Sequence, residues 1–237
     1  MGFDKTNCNA YTEVLENEKY KLMLLDMDGT LYYQRKMQML MCMEMLGYAF
    51  GHPFLLWKLK TISVFRKVRE NAVGMEEKQE EVKTASGSNL LQEHYKKTAV
   101  KIKKTPQEIE EVIDEWMFKR PLKYIYSCRD CVLCDKVQEW KQKGLKVVVY
   151  SDYPAEDKCK ALGIFLDGVY SSDSERIGQM KPSAKAVDVI VSDFGVEKEE
   201  VLVIGDRYSR DGKMAENADV DYLILEKWHL KRKKRWK

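Results

Sequence analysis

Seven side chains that could carry out chemistry lie in four short stretches of the sequence. In chain order they are Asp26, Asp28, Thr30, Ser151, Lys181, Asp206 and Asp211. Carboxylates can attack an electrophile, transfer protons or bind a metal ion, and hydroxyl groups and lysine can bind an anion. Each stretch also has a purely structural interpretation, since Asp and Ser favour turns and helix N-termini. Their meaning depends on whether the fold brings them together.

The four stretches lie at the ends of predicted strands. Short apolar runs predict strands at residues 20–25, 145–150, 168–170, 201–204 and 222–225. Apolar residues at helical spacing predict helices at residues 132–143, 155–162 and 183–194, each followed by a glycine where a C-terminal cap belongs. Strands that alternate with helices predict an α/β fold with a doubly wound parallel sheet.

The segment of residues 34–125 differs, because it has helical periodicities, many charges and no convincing strand. Thr105-Pro106-Gln107-Glu108 matches a capping box with proline at the first helical position, which predicts a helix to about Lys119, ended by Pro121. Residues 75–88 are first charged and then rich in Ser and Gly, as is typical of an exposed loop. A helical insertion in the α/β fold is therefore expected.

Four motifs occur in a fixed order after these strands. They are Asp26-x-Asp28-Gly-Thr30, Ser151, Lys181-Pro182 and Gly205-Asp206-x-x-x-x-Asp211-Gly212. Together they resemble the haloacid dehalogenase (HAD) superfamily, and the resemblance covers roughly residues 20–33 and 126–226. It implies a Rossmann-like core formed by residues 1–33 and 126–237. Residues 34–125 would be the type-one helical cap of that family, which closes over the site and selects the substrate.

The resemblance implies a phosphoric monoester hydrolase that depends on Mg²⁺. Asp26 would be the nucleophile and form an aspartyl-phosphate, which divides one hard hydrolysis into two steps. Asp28 would be the general acid and base, a role for which its neighbours should raise its pKa.

The remaining motif residues would bind the metal ion and the phosphoryl group. Asp26, the backbone carbonyl of Asp28 and Asp206 would hold Mg²⁺, and Asp211 would orient the site or bind through water. Thr30, Ser151 and Lys181 would bind the phosphoryl oxygens.

Asp28 distinguishes branches of the superfamily. Dehalogenases that resemble this fold lack an acid there and P-type ATPases carry a lysine, so phosphate ester chemistry is favoured. A phosphomutase is the nearest enzymatic alternative, and a non-catalytic protein that binds a membrane or a partner is an alternative of another class. Asp152 departs from the commonest pattern, and it could bind a substrate amine or hydroxyl or cap the helix near Pro154.

The predicted cap contains two unusual segments. The first is rich in methionine and leucine, at Met37, Met39, Leu40, Met41, Met43, Met45 and Leu46. It could line an apolar pocket, although ordinary helix packing is favoured. The second, residues 52–70, carries apolar residues on one helical face and basic residues on the others. With the basic tail of residues 231–237 it could contact an anionic membrane, but a cap helix and a solvated tail are favoured.

Composition sets the limits of these interpretations. The 237 residues are 44% hydrophobic and 33% charged, which excludes a disordered protein, and no run of about 18 apolar residues suggests a membrane span. The start of the chain lacks the pattern of a secretory signal, so a cytoplasmic protein, peripheral to the membrane if the contact above exists, is expected. The net charge of +3 comes from the tail, since the rest of the chain is slightly acidic. A nucleic-acid partner is therefore not favoured, and a small-molecule phosphate ester is the expected ligand.

Six cysteines are too few for a disulfide scaffold of this size, so reduced thiols are expected. Cys128, Cys131 and Cys134 have a spacing that suggests zinc, but no fourth ligand is near. Core thiols are favoured there.

Overall fold

The computed structural model describes residues 19–52, 56–76, 90–225 and 234–236. Five parallel strands form the sheet, and they are β1 (Leu22–Leu25), β2 (Lys146–Ser151), β3 (Gly168–Ser171), β4 (Val201–Gly205) and β5 (Asp221–Leu225). Their order is β3-β2-β1-β4-β5, and a short antiparallel strand β6 (Lys234–Trp236) follows β5 at the edge. All five predicted strands are confirmed. The sixth comes from the basic tail, for which no strand was predicted.

Helices cover both faces of the sheet, which confirms the doubly wound prediction. These helices are α5 (Leu122–Cys128), α6 (Cys131–Gln142), α7 (Glu156–Leu162), α8 (Lys185–Phe194) and α9 (Lys213–Ala218). Met23 and Leu25 of β1 pack in the same cluster as residues of α6 and α7, whereas Leu22 and Leu24 pack with residues of α8 and α9. Because successive side chains of a strand point to opposite faces, only a continuous apolar run can serve both clusters.

Within the described residues, four further α-helices lie between β1 and α5. They are α1 (Gln34–Gly51), α2 (Leu56–Glu76), α3 (Leu90–Ile102) and α4 (Pro106–Ile113), and we call them the cap helices. Thr105 and Glu108 form the predicted capping box, and the helix continues as a wider π-helical segment to Lys119. Pro121 directly precedes α5. The exposed loop predicted at residues 75–88 lies mostly outside the described residues, and the exact domain boundaries stay a prediction.

Several surface predictions can be compared with burial. Ile62 and Phe65, on the apolar face proposed for membrane contact, are buried with the other cap helices. Most of the tail lies outside the described residues, so the membrane contact stays a prediction. Within the described part of the chain, no helix is long and apolar enough to span a membrane. Cys128 and Cys134 are buried thiols as expected, but Cys131, the first residue of α6, is exposed.

Candidate active site

The carboxyl ends of β1, β2 and β4 bring the motif residues to one edge of the sheet. Leu25 is in register with Val149 of β2 and with Ile204 of β4, so the three chains leave the sheet side by side. Asp26 follows β1, Ser151 ends β2, and Asp206 follows β4. Lys181 and Asp211 reach the same place from the segments before α8 and α9. The sheet therefore assembles a site from residues that are far apart in sequence.

Asp26 is held by hydrogen bonds to both of its carboxylate oxygens. Lys181 Nζ donates to Oδ1 at 2.5 Å, and Thr30 Oγ1 donates to Oδ2 at 2.9 Å. Burial raises the pKa of Asp26 to about 7 against the opposing effect of the Lys181 ammonium, and Asp211 and Asp206 add to the rise. An additional positive charge beside this carboxylate would favour its ionised form.

The group formed by Asp26, Asp206 and Asp211 fits a divalent cation. One carboxylate oxygen from each residue lies within 4.8 Å of the others. Two glycines permit this approach: a Cβ on Gly29, whose φ is +101°, would lie 2.2 Å from Asp206 Oδ2, and one on Gly205 would lie 2.2 Å from Asp211 Cγ. Buried carboxylate oxygens at this separation are a donor set that Mg²⁺ prefers. The residues present therefore fit the implied metal ion.

Lys181 is fixed through its backbone as well as its side chain. Its Nζ also donates to Asp211 Oδ1 at 2.8 Å, its N–H donates to Asp152 Oδ1 at 2.9 Å, and its carbonyl accepts from Arg210 at 2.7 Å. The proposal that Asp152 caps the following helix is wrong, since α7 is preceded by Ala155 and has no side-chain cap. Asp152 instead positions the lysine.

Asp28 has its hydrogen-bond partners outside the carboxylate cluster. Its Oδ1 accepts hydrogen bonds from Lys158 Nζ at 2.6 Å and from the Tyr32 hydroxyl. Burial alone would raise the pKa of Asp28, but Lys158 and Tyr32 outweigh burial and hold this pKa below its ordinary value. The expectation that its neighbours raise the pKa is therefore wrong for the protein without substrate. The sequence did not single out Lys158 or Tyr32, because a lysine on a surface helix and a tyrosine after a turn carry no distinctive pattern.

Thr30 and Ser151 are both buried at the site. Thr30 contacts Asp26, as described above, and Ser151 Oγ accepts a hydrogen bond from the N–H of Tyr153 at 3.2 Å. The Ser151 hydroxyl proton is therefore not used in that bond and can be donated to a ligand.

A cavity of about 480 Å³ lies between the sheet edge and the cap helices, and Asp28 and Lys158 form part of its wall. Met37 and Met41 of α1 are buried and line it, whereas Met39 and Met43 are exposed to solvent. Met37 and Met41 also pack in the hydrophobic core cluster. One face of the helix therefore both packs against its neighbours, as favoured from the sequence, and lines a pocket.

Arg69 of α2 connects the cap helices to the core. It donates to the backbone carbonyl of Asp152 and, at 3.1 Å, to Ser172 Oγ, and its guanidinium lies 4.6 Å from the centre of the Tyr153 ring. It is almost fully buried. Because Asp152 also binds Lys181, one chain of contacts runs from the cap helices to the candidate nucleophile. In the sequence, Arg69 is only one of several basic residues of the segment 52–70 and carries no distinctive pattern.

The family model for haloacid dehalogenase-like hydrolases matches residues 20–219. The chain belongs to this family. It is similar in fold to three solved structures, each under 20% identical to it. The magnesium-bound protein YfnB from Bacillus subtilis has a TM-score of 0.57 at 13% identity, covering 91% of this chain and 93% of that one. A 2-haloacid dehalogenase from Pseudomonas syringae pv. Tomato DC3000 has a TM-score of 0.55 at 15% identity, with 87% and 86% covered.

A predicted phosphoglycolate phosphatase from Haemophilus somnus has a TM-score of 0.50 at 18% identity, with 89% and 87% covered. No curated protein matches the chain. At these identities the three structures show the fold of this HAD hydrolase and not its substrate.

Proposed function

We propose that this HAD hydrolase is a magnesium-dependent phosphatase that cleaves a phosphomonoester through an aspartyl-phosphate on Asp26. The observation that carries the proposal is the placement of Asp26. Its carboxylate is buried between Lys181, Thr30 and two further aspartates, while Asp28 is bound by Lys158 and Tyr32 and lines the cavity. This arrangement separates a nucleophile and its charge-neutralising groups from a proton donor.

In the first step, a carboxylate oxygen of Asp26 forms a bond to phosphorus while the ester bond to the leaving oxygen breaks. Asp28 donates its proton to that oxygen. Negative charge from the incoming phosphate raises the pKa of Asp28, which opposes the lowering by Lys158. In the second step, Asp28 accepts a proton from water as the water attacks phosphorus, and inorganic phosphate leaves Asp26 free.

The other site residues neutralise charge on the phosphoryl oxygens. Lys181 already reaches Asp26, and the hydroxyls of Thr30 and Ser151 lie at the same edge of the sheet. Mg²⁺, when held by Asp26, Asp206 and Asp211, would supply further positive charge to the phosphoryl group. Donors fixed in advance of the reaction stabilise developing charge without a cost of reorganisation.

The proposal is tested with a panel of phosphomonoesters and Mg²⁺. Phosphate release by the purified chain should fall below detection in Asp26→Asn. The matched control is Asp219→Asn, because Asp219 is exposed, lies before the amino end of β5 and has a φ of +56° that asparagine adopts readily. Release that persists in Asp26→Asn, or that does not need a divalent cation, would contradict the mechanism.

Hydrolysis of a carbon–halogen bond is the competing chemistry in this family. A halide leaves without a proton, whereas the alkoxide of a phosphate ester needs one, so an acid at position 28 that faces the cavity favours the ester. Halide release from 2-haloacids, measured beside phosphate release from the panel, separates the two. Halide without phosphate would exclude the phosphatase.

A further inference from the structure

We propose that the substrate of this site is a phosphate ester whose leaving group is an alkyl or aryl body, and not a sugar. This proposal rests on the proposed phosphatase function and adds the class of substrate. It is carried by the cavity between the sheet edge and the cap helices, whose lining is mostly apolar on the cap side and mostly charged on the core side.

The lining on the side of the cap helices is mostly apolar, although Gln34, Gln38, Arg66, Arg69 and Glu70 are also part of it. It includes Met37, Met41 and Met45 of α1, Ile62 of α2, and Trp116 and Met117 of the π-helical segment. Methionine side chains are flexible and polarisable, so three of them on one helix face can fit an apolar body of variable shape. The volume of about 480 Å³ is in the range of cavities that enclose small organic ligands.

The charged residues of the lining are mostly cationic. Five cations, Arg66, Arg69, Lys158, Arg207 and Arg210, stand against the three carboxylates of Asp28, Asp152 and Glu70. Lys158 pairs with Asp28, Arg69 binds the Asp152 carbonyl, and Arg210 binds the Lys181 carbonyl. The lining is therefore electropositive, as a phosphate requires. The polar lining residues Gln38, Arg66 and Glu70 are exposed to solvent, and Gln34 is partly exposed.

Orientation follows from Asp28. In the proposed mechanism Asp28 protonates the leaving oxygen, so that oxygen must lie beside Asp28, which is part of the cavity wall. The body attached to that oxygen then extends into the cavity. A sugar in that position would bury those of its hydroxyl groups that face Met37, Met41 and Ile62 without hydrogen-bond partners, which is unfavourable.

Two measurements test the substrate class, one of which does not need turnover. The first is the dissociation constant of ethyl-, butyl-, hexyl- and octylphosphonate, measured by calorimetry with Mg²⁺ and below the concentrations at which they aggregate. Full burial of a methylene corresponds to about fourfold in affinity, so we expect at least about a tenfold gain from butyl to octyl. The second is kcat/KM for the matching alkyl phosphates and for glucose 6-phosphate.

Helix α1 provides its own control. Met45→Gln and Met41→Gln should reduce the dependence on chain length, whereas Met43→Gln, on the exposed side of the same helix, should leave it unchanged. Met45 is only partly buried, so its variant tests the wall if the more buried Met41 variant is destabilised.

The outcomes separate the two proposals. Phosphonate affinity that is independent of chain length, or glucose 6-phosphate turnover above that of octyl phosphate, would overturn the apolar substrate class. Chain-length-dependent phosphonate binding without any Asp26-dependent phosphate release would support the apolar cavity and contradict the phosphatase.

Discussion

The sheet edge and the cap helices contribute to the site in different ways. At the sheet edge, short polar stretches follow buried strands, and their side chains form hydrogen bonds with one another. The cap helices contribute mainly apolar surface from widely separated residues, with Arg69 as a polar connection to the core. In the function proposed above, local motifs specify the reaction, and surfaces that exist only after distant helices pack select the substrate.

The largest effect on the common reaction is expected from the removal of Lys181. Lys181→Met should lower kcat/KM for every ester by roughly a thousandfold, since it loses the fixed cation beside Asp26 and the phosphoryl group. Steady-state kinetics across the panel measures this, with the exposed Lys185→Met as the control. A loss confined to some substrates would mean that the lysine selects substrates and does not serve the common reaction.

Arg69 tests whether the cap helices are coupled to the core. Arg69→Met removes the bonds to Asp152 and Ser172 and leaves the buried Asp173, whose Oδ1 is 3.5 Å from Arg69 Nη1, without that cation. The free energy of unfolding should fall by about 3 kcal/mol, measured by urea denaturation. Lys67→Met, at an exposed position of the same helix, is the control and should change it little. Equal stability of the two variants would show that the contact contributes nothing.

A variant of Asp28 tests proton donation separately from the other functions of the sheet edge. Asp28→Asn should lower kcat/KM by about a hundredfold for alkyl phosphates, whose leaving oxygen needs a proton. The loss should be much smaller for p-nitrophenyl phosphate, because nitrophenolate leaves without protonation. Equal losses for both esters would assign Asp28 a role other than general acid.

His94 of α3 gives the smallest effect and concerns the cap helices alone. Burial lowers the pKa of His94 to about 3, with the nearby Arg69 adding to the shift. The folded state therefore binds fewer protons than the unfolded state below pH 6.5, and stability falls as the pH decreases towards 3.

From pH 7 to pH 5, His94 should account for a loss of about 2 kcal/mol in the free energy of unfolding. His94→Asn, which cannot titrate, should remove that part of the pH dependence, and the exposed His52→Asn should retain it. The same slope in both variants would place the origin of the acid sensitivity elsewhere.

How well each feature can be predicted from the sequence depends on whether it is set by a local pattern or by contacts between residues far apart in sequence. The strands can be predicted from the sequence because burial on both faces requires continuous apolar runs. The edge residues Asp26, Asp206 and Asp211 can be predicted as well, because polar residues that follow parallel strands meet at one edge of the sheet. The pKa of Asp28 and the burial of Arg69 depend on contacts 130 and 83 residues away in sequence, and the role of Asp152 depends on Lys181, 29 residues away. Periodicity does not contain that information.

The cap cavity illustrates the same limit. The methionine pattern predicts a helix with an apolar face, but packing against a neighbour and lining a pocket require identical residue types. Only the positions of α1, α2 and the π-helical segment relative to Asp28 decide between the two.

The central claim is that the nucleophile is Asp26, and trapping the intermediate tests it most directly. An aspartyl-phosphate is reduced by borohydride to homoserine, so protein mixed with Mg²⁺ and substrate, quenched, reduced and digested can be mapped by mass spectrometry. We expect homoserine at position 26 and at no other aspartate, and none without substrate. Modification of Asp28 or Asp206 instead, or continued turnover with Asp26 unmodified, would contradict the account.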